Sequence, residues 1–298
     1  MAPPTLLCFG FGYSAGFLAQ LLLREGWCII GTSRAPTPQQ DVRLLPFTGV
    51  WTAELDACTR EAKAVLLSIP PDEAGDPALR AFADAFAART RGWVGYLSTT
   101  GVYGDRGGGW AFEWTAPRPQ SDLARRRMIA ESQTLALTQP GCIFRLPGIY
   151  GPGRSALDRA AAGETLRLLK PGQVFSRIHA ADLARALALS IARSPPGRIY
   201  TLCDDQPAAA ADVLTCAAEL LGLALPAPEP FDPLRLSEPA RRFWSENKRV
   251  ANARAKAELG WRPRFATYRE GLRSIHHGDS GLEHDGAASV DDHLAGLL

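Results

Sequence analysis

Two groups of residues in this chain have the types and the spacing for chemistry. The first is Gly10-x-Gly12-x-x-Ala15, which follows the apolar run Thr5-Leu6-Leu7-Cys8-Phe9 and opens the apolar helical stretch 17–24. Strand, glycine turn and helix in that order make the context that a dinucleotide fingerprint needs. Gly10 permits the tight turn, Gly12 lets the backbone approach a pyrophosphate with no Cβ in the way, and Ala15 packs helix on strand. The N–H groups at the helix start, around Tyr13 and Ser14, face the negative charge. The second group is the hydroxyl cluster Ser98-Thr99-Thr100 with Tyr103, at the end of another apolar run. Such hydroxyls polarise a substrate oxygen or relay a proton, and they also cap backbone groups at strand ends.

These residues need a scaffold. Apolar runs over 27–34, 64–71, 93–97, 141–146 and 198–202 read as buried strands, separated by helical spacing over 76–91, 123–138 and 180–192. Strands alternating with helices of this length predict an α/β fold with a doubly wound parallel sheet of Rossmann type. Ligands of such sheets sit beyond the strand C-terminal ends. The loops after Phe9, Arg34, Ser68 and Leu97 therefore converge on one crevice, which assigns Gly10, Gly12, Tyr13, Ser14, Ala15, Ser33, Arg34, Ser68, Ile69 and Pro70 to a nucleotide cofactor. Pro147, at the exit of the 141–146 strand, is expected to join them. No acid lies between Ile30 and Gln40 to accept from an adenosine 2′-OH. Ser33 and Arg34 instead suit a 2′-phosphate, so NADP(H) is favoured over NAD(H), Arg34 as a solvated loop residue being the alternative.

Composition sets the bounds. The chain has 298 residues, 46% of them hydrophobic, enough for a sizeable core. A net charge of +2 argues against nucleic acid or an anionic membrane surface as partner. The apolar runs stop well short of a membrane span, and Met1-Ala2-Pro3-Pro4 runs straight into the first strand, with no room for a signal peptide. The six cysteines are dispersed without a CxxC pair, as in reduced, buried, cytoplasmic proteins, and no metal site is expected.

The expected organisation is a nucleotide-binding domain over 1–150, to which 177–203 returns, with 151–176 and 204–275 forming a smaller substrate or cap domain. The tail 276–298 is expected to pack poorly. The glycine-rich 104–109 and the aromatic, proline-rich 110–119 read as a mobile flap over the site.

At this point the chain resembles the extended short-chain dehydrogenase/reductase family, in its nucleotide-sugar epimerase and dehydratase branch, from about residue 5 to 272. The resemblance is carried by the glycine fingerprint, by Ser98-Thr99-Thr100-Gly101-Val102-Tyr103-Gly104, and by Arg145-Leu146-Pro147-Gly148-Ile149-Tyr150-Gly151-Pro152. Arg177-Ile178-His179-Ala180-Ala181-Asp182-Leu183-Ala184 and Leu259-Gly260-Trp261-Arg262-Pro263 complete it. It implies a Rossmann domain with a discontinuous C-terminal substrate domain, a catalytic Ser or Thr, and a Tyr-x-x-x-Lys helix. There the tyrosine moves a substrate proton, and the lysine lowers that tyrosine's pKa and holds the nicotinamide ribose. Thr99, four residues before Tyr103, stands where the family keeps its catalytic hydroxyl.

The chain departs from the family at the next step. No Tyr-x-x-x-Lys occurs in it. Counting back from Glu131, the lysine position is Arg127 and the tyrosine position Leu123; shifting the register by one gives Arg126 and Asp122. Leucine transfers no proton, and an arginine stays charged, though Arg127 could bind ribose or phosphate. Gly101 stands where the sugar 4,6-dehydratases keep a glutamate. The chain thus looks like the atypical subgroup, and substitute acids or bases must come from Thr99, Tyr103, Tyr150, His179 or Glu113, with Ser98 and Thr100 as flanking hydroxyls. Tyr103 is the first choice as the surrogate, although an aromatic there in the family is mostly structural, and His179 reads more simply as a satisfied histidine at a helix start.

Three readings compete. One is an NAD(P)-dependent oxidoreductase or epimerase acting on a small-molecule carbonyl or alcohol, such as a nucleotide sugar. Another is a catalytically silent, cofactor-bound sensor or interaction protein, and a third is a purely structural role. Dimerisation through the 123–138 helix is common in the family and gives a possible homodimer.

Overall fold

The protein is described here from a computed structural model covering residues 2–193 and 195–282. Seven strands form the main sheet: β1 (Thr5–Phe9), β2 (Cys28–Ser33), β3 (Val42–Pro46), β4 (Ala64–Leu67), β5 (Trp93–Thr99), β6 (Cys142–Leu146) and β7 (Ile199–Thr201). Their order is β7-β6-β5-β4-β1-β2-β3, and every pairing is parallel. β1, β4 and β6 are buried nearly throughout, as a sheet covered on both faces requires. Helices Tyr13–Arg24, Ala180–Arg193 and Ala253–Leu259 close one face around Leu6, Leu18, Leu66 and Phe144. Helices Ala53–Glu61, Pro77–Ala81, Ala83–Ala88 and Asp122–Leu135 close the other around Leu7, Phe9, Phe82 and Tyr96. The expected doubly wound α/β sheet is what the chain forms.

Register aligns the strand ends that matter. Phe9 pairs with Leu67, Leu67 with Tyr96, and Thr99 with Leu146. The segments beginning at Gly10, Ser68, Thr100 and Pro147 therefore leave the sheet at one edge. The order reverses at β1, between β2 and β4, the usual ligand crevice of such sheets.

A second core lies outside the sheet, where Ala156, Leu157, Val213, Leu214, Tyr268 and Leu272 pack helices Ala156–Ala161, Ala210–Leu220 and Tyr268–His276 together. Two three-residue strands, Gly148–Tyr150 and Arg177–His179, pair in parallel beneath it.

The structure corrects the sequence reading in several places. β3 was not expected. The stretch 76–91 is two short helices, broken at the buried Phe82, whose φ of −120° and ψ of 34° leave the helical region. The segment 104–119 is not a loose flap over the site. The N–H groups of Arg106 and Gly108 both donate to the Asn247 carbonyl, and Trp110–Ala111 pairs with Arg249–Val250. Residues 277–282 pack, with Leu282 5% exposed and its carbonyl accepting from Arg24 Nη1 at 2.5 Å. The rest of the expected tail, 283–298, lies outside the described residues. Among the described residues no helix is long and apolar enough to cross a membrane.

Candidate functional site

The glycine turn is built for close approach. Gly10 has φ +88°, in the left-handed region, and a Cβ there would lie 3.0 Å from the Ile69 amide nitrogen. Its N–H donates to Thr32 Oγ1 at 2.9 Å, and Phe11 N–H donates to the Thr32 carbonyl at 2.8 Å, so β2 fixes the turn. Gly12 caps the Tyr13–Arg24 helix with no side-chain partner, and a Cβ at Gly12 would meet nothing within 4 Å. Space therefore lies beside Gly12, the first helical N–H groups have no capping side chain, and no acid stands in the first turn. That cradle fits a pyrophosphate.

Ser68, whose N–H donates to the Phe9 carbonyl at 2.9 Å, and Ile69 border the same turn. Pro70 follows them, exposed. At the end of β2, Ser33 Oγ accepts from Ala35 N–H at 3.3 Å, and Arg34 is exposed.

Next to the turn opens a cavity of about 1080 Å³. Thr99, Thr100, Gly101 and Pro147 form its sheet edge, and Leu123 from the Asp122–Leu135 helix adds an apolar wall. Tyr13 joins turn and cavity. Its hydroxyl donates to the Pro152 carbonyl at 3.0 Å, and the cavity-lining Arg154 sits 5.6 Å from its ring. The cavity wall is basic: Arg125, Arg154, Arg159, Arg177, Arg242 and Lys248 line it against Asp122, Asp158 and Glu246, six cations to three acids.

The expected catalytic residues divide sharply. Thr99 is half-buried at the cavity; its Oγ1 accepts from Gly101 N–H at 3.1 Å, which orients the hydroxyl and leaves its own O–H to donate. Thr100 is 8% exposed beside it. Ser98 points elsewhere and donates to Glu131 Oε1 at 2.5 Å.

Tyr103 is fully buried away from the cavity, hydrogen-bonded to Thr201 Oγ1 at 2.8 Å with the Arg145 guanidinium 4.9 Å from its ring. Burial pushes its phenol pKa up, so Tyr103 is part of the core. Glu113 is buried and accepts from Thr201 N–H at 3.0 Å. His179 Nδ1 accepts from Ala181 N–H at 3.2 Å and burial lowers its pKa to about 4, but its buried Nε2 has no partner, so it is not the fully satisfied histidine of the simpler reading. Arg127 spends Nη1 on the Leu97 carbonyl at 2.7 Å and the Tyr96 hydroxyl at 3.1 Å, both in β5. Of the five substitutes, only Thr99 and Tyr150 line the cavity.

Sequence reasoning gave no role to Arg154 or Arg177. The signal for Arg177 was present, as a charged residue opening an apolar strand, Arg-Ile-His.

No family model matches the chain. A 3-diazoavenalumate denitrifying reductase from Streptomyces sp. is 31% identical over 157 residues, 49% of this chain and 51% of that protein, so the match spans about half of the relative. A functionally unknown conserved protein from Silicibacter pomeroyi DSS has the same structure with a TM-score of 0.86 at 45% identity, covering 93% of this chain and 99% of the other. MoeE5, solved with UDP-glucuronic acid and NAD, reaches a TM-score of 0.74 at 21% identity over 92% of this chain and 98% of its own, a likeness of fold alone. Solved nucleotide-sugar epimerases and a dehydratase share that fold at similar or lower identity. The chain belongs with the Silicibacter protein in one family, and its fold is that of the extended short-chain dehydrogenases/reductases, the NAD-dependent epimerase/dehydratase type.

Proposed function

We propose that the protein is an NAD(P)-dependent oxidoreductase or epimerase acting on an alcohol or carbonyl carbon of an anionic substrate, such as a nucleotide sugar. The observation that carries this reading is a cavity beyond the strand ends, joined to the glycine turn through Tyr13, with the oriented Thr99 hydroxyl on its edge. Relatives and neighbours support it: one is a reductase, and MoeE5 was solved with a nucleotide sugar and NAD.

The cofactor would sit on Gly10, Gly12 and the first turn of the Tyr13–Arg24 helix, with Ser68 and Ile69 beside it. Pro147 borders the side nearer the substrate. The nicotinamide supplies hydride exchange when bound. Arg34 and Ser33 favour NADP(H) over NAD(H), because a guanidinium and a hydroxyl at the end of β2 match a 2′-phosphate.

This chain's own residues do the rest. Thr99 donates its O–H to the substrate oxygen, held in place by the Gly101 N–H. A donor aimed where charge develops is worth about 10²–10³ in rate. Tyr150 stays protonated, since burial raises its pKa well above the ordinary phenol value, and so serves as a donor rather than a base. Arg154 at the rim offsets the substrate's negative charge.

A silent, cofactor-bound sensor is the second reading. Leu123 favours it, because an apolar side chain lines the cavity at the family's tyrosine position. Titration with NADPH, NADP, NADH and NAD, followed by turnover assays on UDP-glucose, UDP-glucuronic acid and aldehydes, separates the two. The enzyme reading expects turnover that Thr99→Ala lowers about 10²-fold with cofactor affinity unchanged. Tight cofactor binding without turnover on any substrate would favour the sensor.

A further inference from the structure

Tyr150 and Arg177 stand apart from the other residues of the cavity wall. They come from the paired strands Gly148–Tyr150 and Arg177–His179, beneath the second core. Tyr150 is 9% exposed, and its hydroxyl has no hydrogen-bond partner. The phenol is held edge-on to the His179 ring at 5.1 Å, and its hydroxyl lies against Gly271, where a Cβ would come within 2.1 Å of it. It has little room to turn away.

Arg177 is partly exposed at the wall, with its guanidinium 5.2 Å from the Tyr268 ring. Nη2 donates to the Ala208 carbonyl at 3.3 Å, but the shielded Nη1 has no partner. Two side chains of one cavity wall therefore each keep a shielded donor without an acceptor, which costs free energy in the empty protein.

Charge makes the same point. No carboxylate of the described residues lies within ion-pair distance of Arg177, unlike Arg159, Arg242 and Lys248, each paired with a glutamate. The nearby carboxyl is Asp204, whose N–H donates to the Arg177 carbonyl at 2.7 Å and whose Oδ2 is also unpartnered. Burial raises the Asp204 pKa to about 8, which weakens it as a counter-charge for the guanidinium near neutral pH. A shielded cation with a neighbouring phenol donor requires an anionic acceptor.

We propose that Arg177 and Tyr150 form a carboxylate-binding subsite at the inner wall of the cavity, selecting substrates that bear an acidic group besides any phosphate. The inference rests on the reading that the cavity is the substrate site. A carboxylate rather than a phosphate fits, because just two donors stand ready there and a phosphate brings a third oxygen to satisfy. Phosphate has its own candidate in Arg154 at the rim. The carboxylate would accept from Nη1 and from the Tyr150 hydroxyl, and Asp204, protonated, would not repel it.

The test is calorimetric. UDP-glucuronic acid and UDP-glucose differ at one carbon, carboxylate against hydroxymethyl; benzoate and benzamide make the same comparison without a nucleotide, and UDP alone reports on phosphate. The wild-type protein should prefer the acid of each pair by about tenfold or more, and Arg177→Gln and Tyr150→Phe should abolish that preference while NADH still binds. Tyr150→Phe removes one oxygen and keeps the ring, so it remains informative where Arg177→Gln fails to fold.

Equal affinity for acid and neutral partner would overturn the subsite. So would a preference that survives both variants, or variants that weaken UDP and UDP-glucose as much as UDP-glucuronic acid. If nucleotides fail to bind while benzoate is still preferred over benzamide, the nucleotide-sugar reading falls and the subsite stands. If no carboxylate binds while NADH does, the subsite falls and the cofactor reading stands.

Discussion

Arg145 and Glu131 meet in a two-pronged ion pair, Nη2 to Oε2 at 2.8 Å and Nε to Oε1 at 3.1 Å, with side chains 3% and 2% exposed. β5 and the Asp122–Leu135 helix are tied to β6 through it, because Ser98, the residue before Thr99, donates to the same Glu131. Arg145 in turn lies over Tyr103. The polar residues nearest the proposed active hydroxyl thus form its support, and the chemistry is left to Thr99.

Glu131→Gln should therefore act on stability. It leaves the Arg145 guanidinium buried without its counter-charge, a loss of about 3–5 kcal/mol when one partner of such a pair is removed. Thermal or urea unfolding would show a large drop in the midpoint, with NADH affinity retained at low temperature. The double variant Arg145→Met/Glu131→Leu should recover part of the loss, since apolar replacement removes both charges. A Glu131→Gln protein as stable as wild type would mean that water reaches the pair.

The glycine turn separates fold from binding. Gly10→Ala puts a side chain at φ +88° and 3.0 Å from the Ile69 amide, so it should lower stability by roughly 1–2 kcal/mol and cofactor affinity with it. The Cβ that Gly12→Val adds meets nothing within 4 Å in the protein. The variant's unfolding midpoint should hardly move, yet NADH titration should show affinity down at least about tenfold, because the branched side chain fills the pyrophosphate's space. Normal NADH binding by Gly12→Val would remove the cofactor from this turn.

The sequence made the turn and the sheet legible because both rest on local rules: apolar runs of strand length, glycines at the exit, and alternation with helices. It hid β3 because only Leu45 of Val42–Pro46 is buried, so a half-exposed edge strand lacks the run. The fate of the hydroxyl cluster was hidden for a different reason. Ser98, Thr99 and Thr100 look alike in sequence, but alternation along β5 turns Ser98 toward Glu131 while Thr99 stays at the cavity. The missing acceptor of Tyr150 and Arg177 is a tertiary fact, set by residues 271 and 208, far from either in the chain.

Cofactor choice turns on Arg34, which is exposed at the end of β2. Arg34→Asp should weaken NADPH binding by about tenfold or more and leave NADH within a few-fold, because a carboxylate repels a 2′-phosphate and accepts from a 2′-OH. Parallel fluorescence titrations read both. Equal losses would take Arg34 out of the 2′-phosphate role.

Asp204 gives stability a pH dependence of known sign. Its folded-state pKa of about 8, raised by burial first, lies above the ordinary carboxyl value of 3.8, and Arg177 opposes the rise while Asp205 and Asp182 add to it. A raised carboxyl favours the fold fully below pH 3.8 and loses that contribution as pH climbs toward 8. Asp204→Asn keeps an Oδ1 acceptor for the Gln206 N–H, which bonds the wild-type oxygen at 3.3 Å, and removes the titration. The variant should therefore gain on wild type as pH rises from about 4 to about 8, by on the order of a few kcal/mol in total. Urea unfolding of both proteins near the two ends of that range, at about pH 5 and about pH 8.5, measures the gap. Curves that run parallel would show that Asp204 is ionised in the fold, which would give Arg177 the counter-charge that the carboxylate subsite assumes it lacks.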